Sequence, residues 1–443
     1  MIFFFIRPFI IFAGILLVSG CGSLPFLGTT EKPPLPGKRI SILAQEQTLQ
    51  ADSITTGKKI LLPAPTSNNE WPQAGGYANH AMHHIKISPN IKESWSIDIG
   101  SGTNDTDWLI AQPIMADGRV YTMDAETEIA AFNAISGDEI WRLELAPEDE
   151  EEGYIGGGLA FEAGRIFVAT GFAELICLDA NTGKIIWRRK MDNPFRTAPT
   201  VRNNRVYAVT LANKLYAVYG SNGQTIWTHS GIEEPTNLIG GANPAVDAGV
   251  VVVTYSSGEV AALKVENGKE LWTDSLAGAR KTNSVTTFTT IRGRPIIDRG
   301  LVFVISNNGR LTAINLRTGK RIWERSIGGI ESPWVAGDFI FLLTNNSELV
   351  ALSRQKGNIY WVNNLAKWED PEDKTGRIIW TGPVLTSDRL IVAGSTGEAL
   401  SISPYSGQTL GKIEMPDGIT IGPIVALDTI YFLSDDADLI AYR

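Results

Sequence analysis

One segment sets the architecture of this chain: Ala198-Pro199-Thr200-Val201, the turn Asn203-Asn204, Arg205-Val206-Tyr207-Ala208-Val209, Leu215-Tyr216-Ala217-Val218, and Gly223-Gln224-Thr225-Ile226-Trp227. In it, short runs of β-branched and aromatic residues alternate with turn dipeptides, a pattern typical of a four-stranded antiparallel meander. One such sheet leaves apolar faces uncovered, so neighbouring copies must pack against it.

The segment repeats along the chain. In six copies a glycine precedes a tryptophan by four residues, at Gly137/Trp141, Gly183/Trp187, Gly223/Trp227, Gly268/Trp272, Gly319/Trp323 and Gly357/Trp361. A seventh copy keeps the spacing at Gly407 and Gly411 but lacks the tryptophan. Periods of about 40–45 residues with four strands each indicate a β-propeller rather than a solenoid.

The number of blades follows from the residue that opens each unit. Eight openings occur, at Pro113, Gly158, Pro199, Pro244, Pro295, Pro333, Pro383 and Pro423. The eighth unit reaches Arg443 with only three strands, and residues 94–98 offer the missing outer strand. The sequence therefore predicts an all-β fold, an eight-bladed β-propeller of four-stranded antiparallel blades. An N-terminal strand completes the last blade, near Tyr442.

Composition excludes one class of function. The chain has 443 residues and a net charge of −9, without a basic stripe, so the electrostatic pattern of nucleic-acid binding is absent. Of the two cysteines, Cys177 lies in an apolar strand and is predicted to be buried.

The N-terminus divides into two predicted segments before the propeller at residues 69–443. Residues 1–20 form an apolar targeting segment, and an uncleaved membrane anchor is the alternative. Residues 17–21, Leu-Val-Ser-Gly-Cys, resemble the lipobox of bacterial lipoproteins. The resemblance implies a signal peptide cleaved before Cys21, acyl chains such as palmitate on Cys21, and transport to the outer membrane. Residues 21–68 are rich in proline and are predicted to be a flexible tether.

Chemistry-bearing motifs are few. No phosphate-binding glycine loop and no Ser/His/Asp set stands out, which favours a protein that is not an enzyme and has no cofactor. His80, His83 and His84 admit a metal site, but a loop without one is favoured because no carboxylate or thiol has ligand spacing nearby. The acidic run at residues 148–152 is either a solvated loop, which is favoured, or a cation site. The repeated tryptophan is predicted to pack between blades rather than to bind a ligand.

Two family resemblances follow from the repeats. Units such as Asp179 to Trp187 resemble those of quinoprotein dehydrogenases, which implies pyrroloquinoline quinone, calcium and a pair of adjacent cysteines, yet this chain has no adjacent cysteines. The lipobox, the Trp71-Pro72-Gln73-Ala74-Gly75-Gly76 opening and the eight units more closely resemble the BamB family of the outer-membrane β-barrel assembly (BAM) complex. This implies a non-catalytic, lipid-anchored monomeric subunit that faces the periplasm, binds the periplasmic POTRA domains of BamA and assists the folding and insertion of outer-membrane proteins.

The same resemblance implies where the partner binds. Loops before two neighbouring inner strands correspond to the family's contact with BamA: Thr236, Asn237, Leu238, Ile239 and Gly240 in the first, and Thr290, Arg292 and Arg294 in the second. Both lie on the rim that carries the variable connections, where binding sites are expected. Arginine stands where some members have acidic residues, which predicts altered charge pairing. Alternatively, Leu238 and Ile239 pack inside the propeller.

Two other functions are open from the sequence. One is a periplasmic dehydrogenase or sensor that binds pyrroloquinoline quinone. The other is a glycan-binding propeller, for which Trp334, Trp368 and Trp380 are expected to be exposed.

Overall fold

A computed structural model describes residues 48–147, 156–195, 197–234, 238–277 and 290–443. The chain divides into the units Met1–Thr48 and Leu49–Arg443. In the described part of the second unit, eight four-stranded antiparallel sheets form a β-propeller, which confirms the predicted fold class and blade number. Cys21, the acidic run 148–152, Thr236 and Asn237 lie outside the described residues. No helix in the described ranges has the length and apolarity to span a membrane.

The first four blades each run from an inner to an outer strand in chain order. Blade 1 contains Ile114–Ala116, Arg119–Met123, Glu128–Asn133 and Glu139–Glu144. Blade 2 contains Gly158–Glu162, Arg165–Ala169, Glu174–Asp179 and Ile185–Lys190. Blade 3 contains Thr200–Arg202, Arg205–Val209, Lys214–Tyr219 and Thr225–Ser230. Blade 4 contains Ala245–Asp247, Val250–Thr254, Glu259–Lys264 and Glu270–Ser275.

The next three blades repeat this order, and the eighth departs from it. Blade 5 contains Ile296–Asp298, Leu301–Ser306, Arg310–Asn315 and Arg321–Arg325. Blade 6 contains Trp334–Ala336, Phe339–Leu343, Glu348–Ser353 and Ile359–Asn364. Blade 7 contains Trp380–Thr386, Arg389–Gly394, Glu398–Ile402 and Thr409–Glu414. Blade 8 contains Ile424–Ala426, Thr429–Leu433, Asp438–Tyr442 and the N-terminal Glu93–Asp98. A small hairpin, Trp368–Asp370 with Thr375–Arg377, lies between blades 6 and 7, and a 3-10 turn covers Ser53–Thr55.

The ring closes as predicted. Glu93–Asp98 pairs antiparallel with Asp438–Tyr442, and Trp95 lies opposite Ala441. Lys92 and Arg443 extend the ladder, since the N–H of each donates to the carbonyl of the other at 2.8 and 2.9 Å. Blade 8 is therefore assembled from both ends of the described chain.

The repeated tryptophan joins neighbouring blades, which confirms its predicted packing role. Each indole lies on the turn glycine of the next blade, and a Cβ on Gly268 would fall 2.6 Å from Cε3 of Trp227. These glycines also have φ near +70°, a region that other residues occupy only with strain. The indole N–H then donates to a carbonyl of the next blade, as from Trp227 to Val265 at 3.1 Å. Equivalent bonds run from Trp141, Trp187, Trp272, Trp323 and Trp361.

The missing tryptophan at position 411 matches the way in which the ring closes. Blade 8 takes its outer strand from the N-terminus, so it has no turn between its third and fourth strands, and no turn glycine on which an indole from blade 7 could rest. Trp95 takes up the pattern again, packing on Gly137 of blade 1. Between blades 7 and 8 a cavity of about 330 Å³ lies beside Gly411, Ile391 and Phe432.

The folded unit starts earlier than residue 69, where the sequence predicts the end of the tether. The Asp52 carboxylate accepts a hydrogen bond from the Ile359 N–H at 3.0 Å, and it pairs with Arg325. Thr55 donates to the Ile359 carbonyl at 2.6 Å, and Ile60 is buried against blade 6. Residues from Leu49 onward therefore pack on blades 5 and 6 because they bring a matching carboxylate, hydroxyl and apolar side chain.

Candidate functional site: the central funnel

A funnel forms where the eight inner strands begin. The residue directly before each opening position lines it, and the eight are Gln112, Gly157, Ala198, Asn243, Arg294, Ser332, Gly382 and Gly422. Inner strands lie nearest the axis of a propeller, so these equivalent positions converge on one space. Five of the eight are glycine, alanine or serine, which leaves a cavity of about 300 Å³. We call it the central funnel.

The floor of the central funnel comes from residues 68–85, which we call the axial segment. Trp71, Ala74, Gly75 and His80 of this segment line the cavity. The segment hydrogen-bonds in turn to the inner strands of all eight blades, through the pairs Asn68–Val425, Trp71–Met115, Pro72–Phe161, Gln73–Val201, Ala78–Val246, Asn79–Ile297, His83–Trp334 and Ile85–Leu385. The Trp71-Pro72-Gln73-Ala74-Gly75-Gly76 motif is thus part of a hub that orients the funnel.

A hydrogen-bond relay on this floor fixes one arginine. His80 Nδ1 donates to the Pro295 carbonyl at 2.8 Å, and its Nε2 accepts from Asn243 Nδ2 at 3.0 Å. The Asn243 side-chain oxygen accepts from Nε of Arg294 at 2.8 Å. Burial lowers the pKa of His80 to about 3, so the imidazole is neutral at pH 7. The relay therefore orients Arg294 without adding a charge.

The central funnel carries an excess positive charge. Its charged lining residues are Arg292, Arg294 and Glu331, all in the described ranges. Glu331 lies 3.5 Å from Arg292 and accepts a hydrogen bond from Thr381 at 3.2 Å. Burial lowers the pKa of Arg294 to about 10, which still leaves the guanidinium charged at pH 7.

The rim of the central funnel is apolar. Trp108 is 43% exposed and Ile379 is 47% exposed, and Ile239 and Ile330 lie beside them. Large apolar side chains around a recessed charge are the arrangement found at binding sites for other proteins.

The structure brings the two predicted partner loops together. Ile239, Gly240, Arg292 and Arg294 line the central funnel, and a Cβ on Gly240 would lie 3.3 Å from Nε of Arg292. Thr290 is buried instead. It lines a second, smaller cavity of about 40 Å³ with Leu238. Leu238 and Ile239 are each half-buried. Their side chains are therefore neither fully exposed on a partner-binding loop nor fully packed inside the propeller.

The three tryptophans of the glycan-binding hypothesis are not exposed together on the surface. The expectation of exposed tryptophans at a glycan site is wrong. Trp380 is buried in the core between blades 6 and 7, where its indole N–H donates to the Ala366 carbonyl at 2.8 Å. Trp334 is half-buried and stacks on Trp71, with 6.2 Å between the ring centroids. Trp368 is half-buried, with Arg377 over its ring at 5.2 Å.

The three clustered histidines have separate partners. His84 donates from Nδ1 to the Pro63 carbonyl at 2.7 Å and accepts from the Asp388 N–H, whereas His83 lies 3.7 Å from Asp298. Among the described residues, no group of three or more His, Cys, Asp or Glu side chains is arranged to hold a metal ion.

Several residues of the central funnel were missed from the sequence, although a signal for them exists. Trp71, His80, Asn243 and Glu331 were not among the predicted site residues. The prolines and the glycine that open the eight units lie at the start of the inner strands, close to the propeller axis. The residue before each of them can therefore be predicted to line the central funnel. Arg294 is the only charged residue in that set of eight.

Comparison with known proteins gives the family. Residues 125–363 match the family described as outer membrane protein assembly factor BamB. An uncharacterised protein of Rickettsia prowazekii is 29% identical over 233 residues, 52% of this chain and 56% of the relative. The outer membrane protein assembly factor BamB of Escherichia coli is 27% identical over 249 residues, 55% of this chain and 63% of the relative. These matches span little more than half of each relative's length.

Solved structures share the fold. The crystal structure of BamB from Moraxella catarrhalis superposes with a TM-score of 0.67 at 18% identity, covering 80% of this chain and all of that one. The quinohemoprotein alcohol dehydrogenase of Comamonas testosteroni gives a TM-score of 0.65 at 13% identity, covering 84% of this chain and 80% of that one. At these identities the likeness concerns the propeller alone.

Proposed function

Because this chain belongs to the BamB family of outer membrane protein assembly factors, we propose that it is a non-catalytic scaffold subunit of the BAM complex. It binds the periplasmic domains of BamA and assists the folding and insertion of outer-membrane proteins. The observation that supports this proposal is the convergence of both predicted partner loops on one funnel rim, where apolar side chains surround two arginines.

The partner face is the loop rim around the central funnel. Ile239 and Arg292 sit on it, and Leu238 lies behind Ile239 in the smaller cavity. A partner that covers this rim removes Trp108 and Ile379 from water, and buried apolar area of this kind drives association. The arginines then select the partner by charge.

Co-purification tests the proposed face. Full-length protein is captured from detergent-solubilised membranes, and BamA is detected in the eluate. Leu238→Asp combined with Arg292→Glu is expected to abolish capture, because it places charge at an apolar position and reverses charge at a second. The control is Ile135→Asp with Arg317→Glu, which makes the same changes of charge at exposed turns of the opposite end. Undiminished capture by the first variant contradicts the proposed face, and absence of BamA from the wild-type eluate contradicts the proposed partner.

Attachment to the outer membrane on the periplasmic side is the second part of the proposal. The lipobox ending at Cys21 supports it. Acyl chains contribute about 0.8 kcal/mol per buried methylene, so several chains give a lasting anchor. Cys21→Ala is expected to remove metabolically incorporated palmitate and to release the protein from outer-membrane fractions. Labelled protein in that variant contradicts acylation at Cys21.

The fold shared with quinohemoprotein dehydrogenases raises quinone binding as an alternative, and the residues of this funnel do not fit it. A quinone with a calcium ion needs several oxygen ligands. Glu331 is the one carboxylate among the described lining residues, and Arg292 and Thr381 already engage it. Adding pyrroloquinoline quinone with calcium is expected to leave visible absorbance and the unfolding temperature unchanged.

A further inference from the structure

The central funnel holds an arginine whose hydrogen-bonding capacity is only partly used. Arg294 donates from Nε to Asn243, and its backbone N–H donates to the Ser332 hydroxyl at 2.9 Å. Among the residues that the structure describes, no acceptor lies within hydrogen-bonding distance of its two terminal nitrogens. A guanidinium presents five N–H donors in a planar fork, so one edge of this group is available to a ligand.

The side chain of Arg294 is held in place by its neighbours. Its Cδ passes over Gly75, where a Cβ would lie only 2.9 Å away, so any other residue at position 75 would displace the arginine stem. Asn243 has its own orientation fixed, since its amide nitrogen contacts the Ala74 carbonyl, Thr200 and His80. The axial segment and blade 4 therefore hold the arginine of blade 5 at the funnel floor.

Charge counting defines the ligand. Two arginines and one glutamate line the funnel, and the neutral His80 adds nothing, so the net charge among the described lining residues is +1. A single carboxylate balances this charge, whereas a phosphate would bring excess negative charge close to Glu331. A carboxylate also matches the fork of a guanidinium, because its two oxygens accept two parallel hydrogen bonds.

The surroundings indicate the source of that carboxylate. Trp108, Ile239 and Ile379 form an apolar collar above Arg294. A free dicarboxylate offers nothing to this collar, but an acidic side chain on a protein loop brings apolar neighbours with it.

We propose that the central funnel receives an aspartate or glutamate side chain of the bound partner protein, and that its carboxylate pairs with the free edge of Arg294. The inference rests on the proposed function and names the chemistry that the partner must present. Arg294 is thereby a specificity-determining residue rather than a structural one.

Two variants separate these roles. Arg294→Met keeps an unbranched stem that reaches about as far as Nε and removes the guanidinium with its charge. Without a bound partner protein, the side chain of Arg294 makes one side-chain hydrogen bond, to Asn243, so the thermal midpoint of Arg294→Met is expected to stay close to that of the wild type. Its affinity for the BamA periplasmic domains is expected to fall at least about tenfold, as for other desolvated charge pairs at interfaces. Arg294→Lys is expected to recover part of the affinity, because it restores charge but not the fork.

A charge swap identifies the partner residue. In complexes with full-length Arg294→Glu, each aspartate and glutamate of the BamA periplasmic domains is changed to lysine in turn. One such change is expected to restore binding. Unchanged affinity of Arg294→Met, or a thermal midpoint that falls together with affinity, overturns the proposal, as does the absence of any restoring position.

A short glutamate peptide tests the carboxylate site at Arg294 independently of binding to BamA. A blocked tripeptide with a central glutamate between alanines is expected to raise the thermal midpoint of the wild type but not of Arg294→Met. The matched glutamine peptide is expected to have no effect. If BamA is not captured but the glutamate peptide still acts, only the identity of the partner is wrong. If BamA is captured and the glutamate and glutamine peptides act alike, the carboxylate site is wrong.

Discussion

Removing one blade-to-blade indole tests whether these contacts hold the ring together. Trp227 is only 8% exposed. A buried tryptophan covers about 150–250 Å², which at about 25 cal/mol per Å² corresponds to ~4–6 kcal/mol. Correcting for a compact unfolded chain lowers this to ~3–5 kcal/mol, in the range known for Trp→Ala changes in cores. We therefore expect Trp227→Ala to lower the free energy of unfolding by about 4 kcal/mol.

The measurement is denaturation by urea together with calorimetry at a fixed scan rate. With an unfolding entropy of about 2.1 cal/mol/K per residue over Leu49–Arg443, a loss of ~4 kcal/mol lowers the melting temperature by ~5 °C. Trp108→Ala is the control, because this side chain is 43% exposed and should cost less than about 2 kcal/mol.

A double-mutant cycle with Gly268 isolates the contact itself. A Cβ at position 268 would lie 2.6 Å from the Trp227 ring, so Gly268→Ala displaces the indole and also strains a residue with φ of +70°. In the Trp227→Ala background only the strain remains, ~1–2 kcal/mol. The two changes should therefore cost less together than the sum of their separate costs. Additive costs would refute the idea that the glycine is retained for the indole.

Three further predictions concern other parts of the propeller. Gly411→Trp fills the cavity between blades 7 and 8 and is expected to raise stability by ~1 kcal/mol, measured by urea denaturation; a lower midpoint would show that blade 8 has no room for an indole. The pKa of His80 is about 3 in the folded protein and ~6.5 in the unfolded chain. Between these pH values only the unfolded chain is protonated at His80, so the free energy of unfolding falls as the pH drops. Between pH 7 and pH 5 the wild type should lose ~2 kcal/mol more than His80→Gln, and parallel pH profiles would contradict this. Arg354 and Asp298 form a buried ion pair at 2.9 Å, so Arg354→Met is expected to lower the free energy of unfolding in urea by ~3–5 kcal/mol. The same change is expected to lower it by less when Asp298→Asn is also present. Equal losses in the two backgrounds would show that the pair is not coupled.

The repeat made the blades predictable from sequence. The Gly-to-Trp spacing has one physical reason, the packing of an indole on a glycine of the next blade, and that reason recurs in every copy. The hairpin turns were also placed correctly. Positive φ occurs at Asn203 and Asn204, where the turn dipeptide is predicted, and the equivalent turns of other blades repeat it at Asp117, Ala248 and Leu427.

Features without a repeat were not predictable in the same way. The axial segment occurs once, and its bonds to all eight blades are made mostly by backbone groups, which leave no mark in side-chain patterns. The packing of Asp52 against Arg325 joins residues far apart in the sequence, so the proline-rich composition of this stretch does not predict it. The start of blade 7 at Trp380, three residues before Pro383, reflects a bulge between Thr381 and Val384.

The candidate site was predictable only in part. Family resemblance implies Ile239, Gly240, Arg292 and Arg294 as partner contacts, and the structure shows that these four residues line the central funnel. Nothing in the sequence alone connected Arg294 to His80, because the relay between them crosses from the axial segment through Asn243 of a different blade.

The pairing of Glu93–Asp98 with Asp438–Tyr442 has a consequence for biogenesis. Until Asp438–Tyr442 is in place the circle is open, and Glu93–Asp98 and Thr429–Leu433 each keep a bare strand edge, which invites pairing with other chains. Circularisation depends on this one strand, so loss of Asp438–Tyr442 leaves the first seven blades intact and the circle unsealed.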